Sequence, residues 1–183
     1  HRKRQRTVAS QKSVSRTAQN PQNVVREASP HRFDSQGYDT ESGGMCMLLS
    51  IGVNTYQHLG DLKAGRGAAE DFAAALLGTG SISSGQVVLL RDDARDSNNR
   101  ATLANVKNRI RQVCNLAAQD ETLIIFFAGH GITVDGESYL VPQDGAGADT
   151  SIPLNWVKRQ MRKSSAEDKA LILDACHSGS DVL

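Results

Sequence analysis

Four short apolar runs, each giving way within three residues to glycine, asparagine, aspartate or histidine, constrain this chain more than any other feature. They are Cys46-Met47-Leu48-Leu49-Ser50-Ile51-Gly52-Val53, Gln86-Val87-Val88-Leu89-Leu90, Thr122-Leu123-Ile124-Ile125-Phe126-Phe127-Ala128 and Lys169-Ala170-Leu171-Ile172-Leu173-Asp174. A strand covered on both faces reads as a near-continuous apolar run of this length. Segments of helical period separate the runs. That alternation implies right-handed crossovers and a mostly parallel sheet with helices on both faces, an α/β fold of three layers.

The helices are expected at three places. Ala68 to Leu77 is rich in Ala and Leu and is closed by Gly78 and Gly80, with Glu70 and Asp71 near its positive N-terminal end. Leu103, Val106, Ile110, Val113 and Ala117 recur at helical spacing, and the polar stretch from Arg91 to Asn99 offers N-cap residues for them. Leu154 to Lys163 is amphipathic, and Lys158, Arg159, Arg162 and Lys163 are read as its solvated face rather than as a docking or processing site. After the third run, Asp135-Gly136 predicts a tight hairpin that returns through Tyr139-Leu140-Val141-Pro142.

Residues 1–44 are of another kind. They are rich in Ser, Gln, Asn, Arg and Thr, have no sustained apolar period, and carry eight Lys/Arg against four acids. They are expected to be a solvated, disordered tail with the domain boundary near Gly43-Gly44, leaving a mildly acidic globular part at 45–183. Nucleic-acid binding through the basic start would need a recognition fold or aromatic platform that the sequence lacks, so no nucleic-acid partner is expected. No apolar run approaches membrane-span length, and no apolar segment of a secretory signal follows the basic start. The expectation is a soluble, cytoplasmic protein without a membrane partner. Cys46, Cys114 and Cys176 form neither a disulfide framework nor a zinc site, being odd in number and without a C-x-x-C pair. Cys46 and Cys114 are read as small core residues.

His130 and Cys176 stand just past the third and fourth runs, and functional groups on open α/β sheets collect at the carboxyl ends of the strands. A thiol becomes a good nucleophile once an imidazole takes its proton, and the same imidazole can protonate the leaving amine. A polar loop is expected at Gly129-His130-Gly131, whose glycines allow close approach of backbone to substrate. The N–H groups of Gly131 and Cys176 are the candidates for an oxyanion hole. His177, adjacent to Cys176, is read as a loop or packing residue rather than the base.

Phe126-Phe127-Ala128-Gly129-His130-Gly131 and Leu173-Asp174-Ala175-Cys176-His177-Ser178-Gly179 together resemble the caspase superfamily of cysteine peptidases, most of all metacaspases and their bacterial relatives, the orthocaspases. Leu49 to Tyr56, Ala69-Glu70-Asp71, Ala101 to Val106 and Tyr139 to Asp144 follow the family's order, so the resemblance spans roughly residues 45–183. It implies a caspase-like large catalytic subunit with His130 and Cys176 as a catalytic dyad. Caspases that cut after Asp carry Gln where this chain has Asp174. A carboxylate in the specificity pocket attracts a cationic side chain, and in metacaspases Asp at the positions of Asp174 and Asp71 line that pocket. The resemblance therefore implies cleavage after Arg or Lys, with a protein or peptide substrate as partner.

No cofactor is expected. Many metacaspases need calcium, but the acidic insertion after their His motif is reduced here to Asp135 and Glu137, short of the six to eight oxygen ligands calcium takes. The chain stops seven residues after Cys176, whereas the family fold continues with a small-subunit region. The fragment is thus expected to lack the C-terminal strands and to be weakly active or inactive without that partner segment. Two other readings remain open. One is a separase-like cysteine peptidase; the other is a non-catalytic caspase-like interaction module, since fold alone does not establish activity.

Overall fold

The computed structural model describes the backbone of residues 46–177 and the side chains of residues 46–175. The expected disordered tail, the boundary at Gly43-Gly44 and residues Ser178-Gly179 lie outside the described residues. In chain order the elements are β1 (Cys46–Gly52), α1 (Gly65–Gly78), β2 (Val87–Arg91), α2 (Leu103–Leu116), β3 (Thr122–Val134), β4 (Glu137–Leu140), β5 (Ile152–Pro153), α3 (Leu154–Lys163) and β6 (Asp168–His177).

The core of the sheet is parallel, with β1 between β2 and β3 and β6 on the far edge of β3. Gly131 is in register both with His177 of β6 and with Leu140 of the antiparallel β4. A residue has one ladder partner per edge, so β4 lies on the β1 side of β3, beyond the point where β1 ends at Gly52. β5 extends this antiparallel arm through Leu140 and Ile152. Strand alternation then sorts the core into two layers. Leu49, Ile51, Leu123, Ile125 and Phe127 pack with Val106, Ile110 and Val113 of α2 and Val157 and Met161 of α3. Their neighbours Leu48, Ile124, Phe126 and Ala128 face the other way, onto Ala69 and Ala73 of α1. Helices thus cover both faces, as the alternation of runs implies. None of the described helices is long and apolar enough to cross a membrane.

β3 is longer than its apolar run. The sequence places a polar loop at Gly129-His130-Gly131; the structure carries the strand through all three to Val134. Ladder partners decide this, because β6 pairs with β3 as far as Gly131 and the hairpin partner β4 takes over from there. For the same reason β6 runs to His177 instead of ending at Asp174. The hairpin is as expected at its turn: Asp135 and Gly136 have φ of 50° and 79°, the two positive values of a type I′ turn. Its return strand stops at Leu140, short of Val141 and Pro142.

α3 has the expected limits, and Lys158, Arg159, Arg162 and Lys163 are all exposed. α1 begins three residues early, at Gly65, which sits where a Cβ would lie 2.5 Å from the Val53 carbonyl oxygen and 2.8 Å from that of Ala128. Glu70 and Asp71 therefore fall in the second turn, and the dipole argument for them lapses; Glu70 instead pairs with Arg91 at the end of β2. α2 is capped not from within 91–99 but by Thr102, whose hydroxyl accepts from the Asn105 N–H. The stretch before it makes its own short turn, capped by Asp96.

Candidate active site

His130 lies on β3 with its backbone in the ladder and its side chain partly buried. Among the described residues three contacts hold it, all from the irregular segment between β1 and α1. Its Nε2 is 2.8 Å from the Gly60 carbonyl oxygen. Its backbone N–H donates to the Tyr56 hydroxyl at 2.7 Å. The Tyr56 ring meets the imidazole at a centroid distance of 4.6 Å, tilted by 49°. A carbonyl oxygen only accepts, so Nε2 carries a proton and, in the neutral ring, Nδ1 is the basic nitrogen. Burial pushes the Tyr56 phenol upward, so it stays protonated.

Gly129 precedes the histidine because of space. A Cβ there would lie 2.6 Å from Tyr56 Oη and 2.9 Å from Phe127 Cζ. The small residue lets Tyr56 reach the His130 N–H across the strand.

Buried backbone N–H and C=O groups in such a segment cost free energy unless they find partners. The Val53 N–H donates to Ala128, and the Leu62 N–H to Asn54. Asp92, just past β2, accepts from the N–H groups of both Asn54 and Thr55 at 3.0 Å through its two oxygens. The Asn54 side chain spans the segment, donating to the Lys63 carbonyl and accepting from the Arg66 N–H. Asp61 accepts from the Tyr56 N–H, and the Gln57 N–H donates to the Gln143 carbonyl.

β6 runs beside His130 in parallel, and position 176 is its register partner. Neighbouring strands are about 4.8 Å apart, and register partners share a face of the sheet. Asp174 pairs with Ala128, one pleat earlier on the same face, and is exposed. Gly131 sits between β4 and β6 in the ladder rather than on a loop. Asp71 is exposed on α1, roughly 200° of helical turn from the buried Ala69, so it faces away from the sheet. The structure therefore brings the positions of His130, Cys176 and Asp174 together at one end of the sheet and leaves Asp71 on the outer side of the helix.

Gly60, Tyr56 and Asp92 are the residues that sequence reasoning missed as part of this site. Tyr56 lay within a stretch noted for its resemblance, but a backbone carbonyl and a carboxylate 38 residues from Asn54 carry no local signal. Cys114 is a buried core residue, its thiol pushed up to about 11 by desolvation. Cys46 is only partly buried, packed against the α1 layer, and its thiol is also raised by burial. Among the described residues no three metal-ligating side chains cluster. Asp135 occupies the hairpin turn, and Glu137 accepts from the Tyr139 hydroxyl.

Comparison with known proteins bears on this arrangement directly. The family model described as the caspase domain of the C14 peptidases matches residues 44–182. Among solved structures, protein GSU0716 from Geobacter sulfurreducens superimposes with a TM-score of 0.57 at 22% identity, over 74% of this chain and 52% of that one. At that identity the likeness speaks for the fold alone, and the chain spans about half of that protein's length. No protein of curated function matched.

Proposed function

The chain belongs to the caspase-domain family of cysteine peptidases, and from that premise we propose that it carries the nucleophile and base of an endopeptidase that cuts after Arg or Lys. The observation that carries the proposal is the register of β3 and β6, in which position 176 is the direct neighbour of His130.

In the proposed reaction Nδ1 of His130 takes the thiol proton of Cys176, and the thiolate sulfur attacks the scissile carbonyl carbon. The tetrahedral oxyanion is held by the N–H groups of Gly131 and Cys176. The imidazolium protonates the departing amine as the C–N bond breaks, leaving a thioester. Water, deprotonated by His130, then attacks it, the C–S bond breaks, the carboxylic acid leaves and Cys176 takes its proton back from His130. Gly60 keeps the ring oriented by accepting from Nε2–H, so that Nδ1 does the proton transfers. Since Gly131 stands in the ladder with a partner on each edge, forming the oxyanion hole requires the end of the β3–β6 pairing to part as substrate enters.

Asp174 supports the choice of a cationic residue at the cleaved bond. It lies two residues before Cys176, on the same face of β6, and is exposed. A fixed carboxylate there favours Arg or Lys and opposes Asp. The resemblance would make Asp71 a second acid of that pocket, but its outward place on α1 leaves Asp174 as the carboxylate on which the specificity proposal rests. The motif Asp174-Ala175-Cys176-His177-Ser178-Gly179 also favours a metacaspase-like enzyme, with a protein substrate and no cofactor.

The test is peptide hydrolysis by the intact protein with Arg-, Lys- and Asp-terminated reporter substrates. Arg or Lys peptides are expected to be cut and Asp peptides not, with activity abolished in Cys176→Ala. Asp174→Asn should lower kcat/KM for the Arg peptide by about 10–100-fold, a specificity loss of roughly 1.4–2.8 kcal/mol. Faster hydrolysis of Asp peptides, or turnover that survives Cys176→Ala, refutes the proposal.

A further inference from the structure

We propose that Asp92 is a positioning residue for His130, acting through the segment from Asn54 to Gly60; this rests on the peptidase reading only for its kinetic consequence. Among the described residues, the contacts that orient the imidazole come from that segment: the Gly60 carbonyl on Nε2, the Tyr56 hydroxyl on the backbone N–H, and the Tyr56 ring against the imidazole. The segment has neither helix nor strand of its own. Its shape is set from outside, and among the described residues Asp92 is the one side chain beyond the segment that accepts from two of its consecutive backbone N–H groups.

Asp92 is built for this role. Its carboxylate is 4% exposed, with one oxygen for Asn54 and the other for Thr55, and Arg66 Nη1 stands 3.4 Å from the second. An ionised, buried acceptor makes short directional bonds that a neutral amide does not reproduce. The Arg66 backbone N–H is bound in turn by the Asn54 side chain, so α1, β2 and the segment close on one another. Asp93 provides an internal comparison. It carries the same charge one residue on, is half exposed, and pairs with Arg66 and Arg91, with no hydrogen bond to the segment among the described residues.

The substitution Asp92→Asn keeps the shape but replaces one acceptor with an amide donor that opposes a backbone N–H. The segment then shifts, and both the Gly60 carbonyl and the Tyr56 hydroxyl leave their places. A misplacement of about 1 Å in a catalytic group costs on the order of 100-fold in rate.

The experiment uses the intact protein in two forms. In the Cys176→Ala form, nitrogen-15 NMR of the histidine side chains, with His130 assigned by His130→Gln, reads its tautomer. Wild-type His130 is expected as the Nε2–H tautomer; Asp92→Asn is expected to give a mixture of both tautomers, and Asp93→Asn no change. In the active form, kcat of Asp92→Asn on an Arg peptide is expected to fall about 10–100-fold with KM within about twofold, while Asp93→Asn stays near wild type. If Asp92→Asn does not fold, Asp92→Glu, which keeps both acceptor oxygens but carries them one methylene further out, is expected to produce the same tautomer mixing. An unchanged His130 tautomer in the folded variant overturns the inference. A tautomer shift in a protein that cuts no peptide supports it and sinks the peptidase reading instead.

Discussion

Substituting Gly129 by Ala tests the packing that seats the histidine. The added methyl would lie 2.6 Å from Tyr56 Oη and 2.9 Å from Phe127 Cζ, where ordinary contact begins near 3.4 Å. Phe127 is fully buried, and Tyr56 is tied at its hydroxyl to the His130 N–H, so neither yields freely. Tyr56 must retreat by several tenths of an ångström, and overpacking of this kind costs about 1–3 kcal/mol. For a domain of this size that lowers Tm by roughly 3–10 °C. The partner change Tyr56→Phe removes the atom in the closest contact. The double variant is therefore expected to be more stable than the sum of the single effects by at least about 0.5 kcal/mol. A control comes from α1: at Gly67 a Cβ meets nothing within 4 Å, so Gly67→Ala should stabilise by up to about 1 kcal/mol through helix propensity. The assay is urea and thermal unfolding of the wild type and all four variants, followed by far-ultraviolet circular dichroism. If Gly129→Ala unfolds with the wild type, or its effect simply adds to that of Tyr56→Phe, the close-approach argument is refuted.

Three further outcomes follow from the core. Burial raises the Cys114 thiol from 9.0 to about 11, so the folded state favours the neutral form; its contribution is complete below pH 9 and is lost as pH rises from about 9 to about 11. Unfolding free energy measured across that range should therefore fall less in Cys114→Ala than in wild type, and Cys114 should resist a disulfide reagent at pH 8 until the protein unfolds. Phe127→Ala removes a fully buried ring between β3 and the α2–α3 layer, and equilibrium denaturation should show a loss of about 3–5 kcal/mol, enough to unfold a marginal domain.

Strand-forming runs were legible because a sheet covered on both faces needs apolar residues at every position, and this leaves an unbroken signal in the sequence. Helix α3 was legible to the residue because Val157 and Met161 face the core while its basic residues face solvent. The ends of β3 and β6 were not, since Gly129 to Gly131 and Ala175 to His177 have no strand signature and are extended only because each pairs with the other. Helix α1 was placed late because Gly65 looks like a breaker. Its reason for being there, the Val53 and Ala128 carbonyls against its Cα, belongs to other elements.

By itself the sequence determined the layered α/β architecture and the two positions, His130 and Cys176, at the ends of apolar runs, because apolar period and strand-end chemistry are local properties. Only the tertiary structure decided how the histidine is held. Gly60 contributes a carbonyl that every residue possesses, Tyr56 crosses 74 residues of chain to reach the His130 N–H, and Asp92 acts on a segment 38 residues away. Such contacts depend on where β1, β2 and β3 come to lie side by side, which no window of neighbouring residues contains.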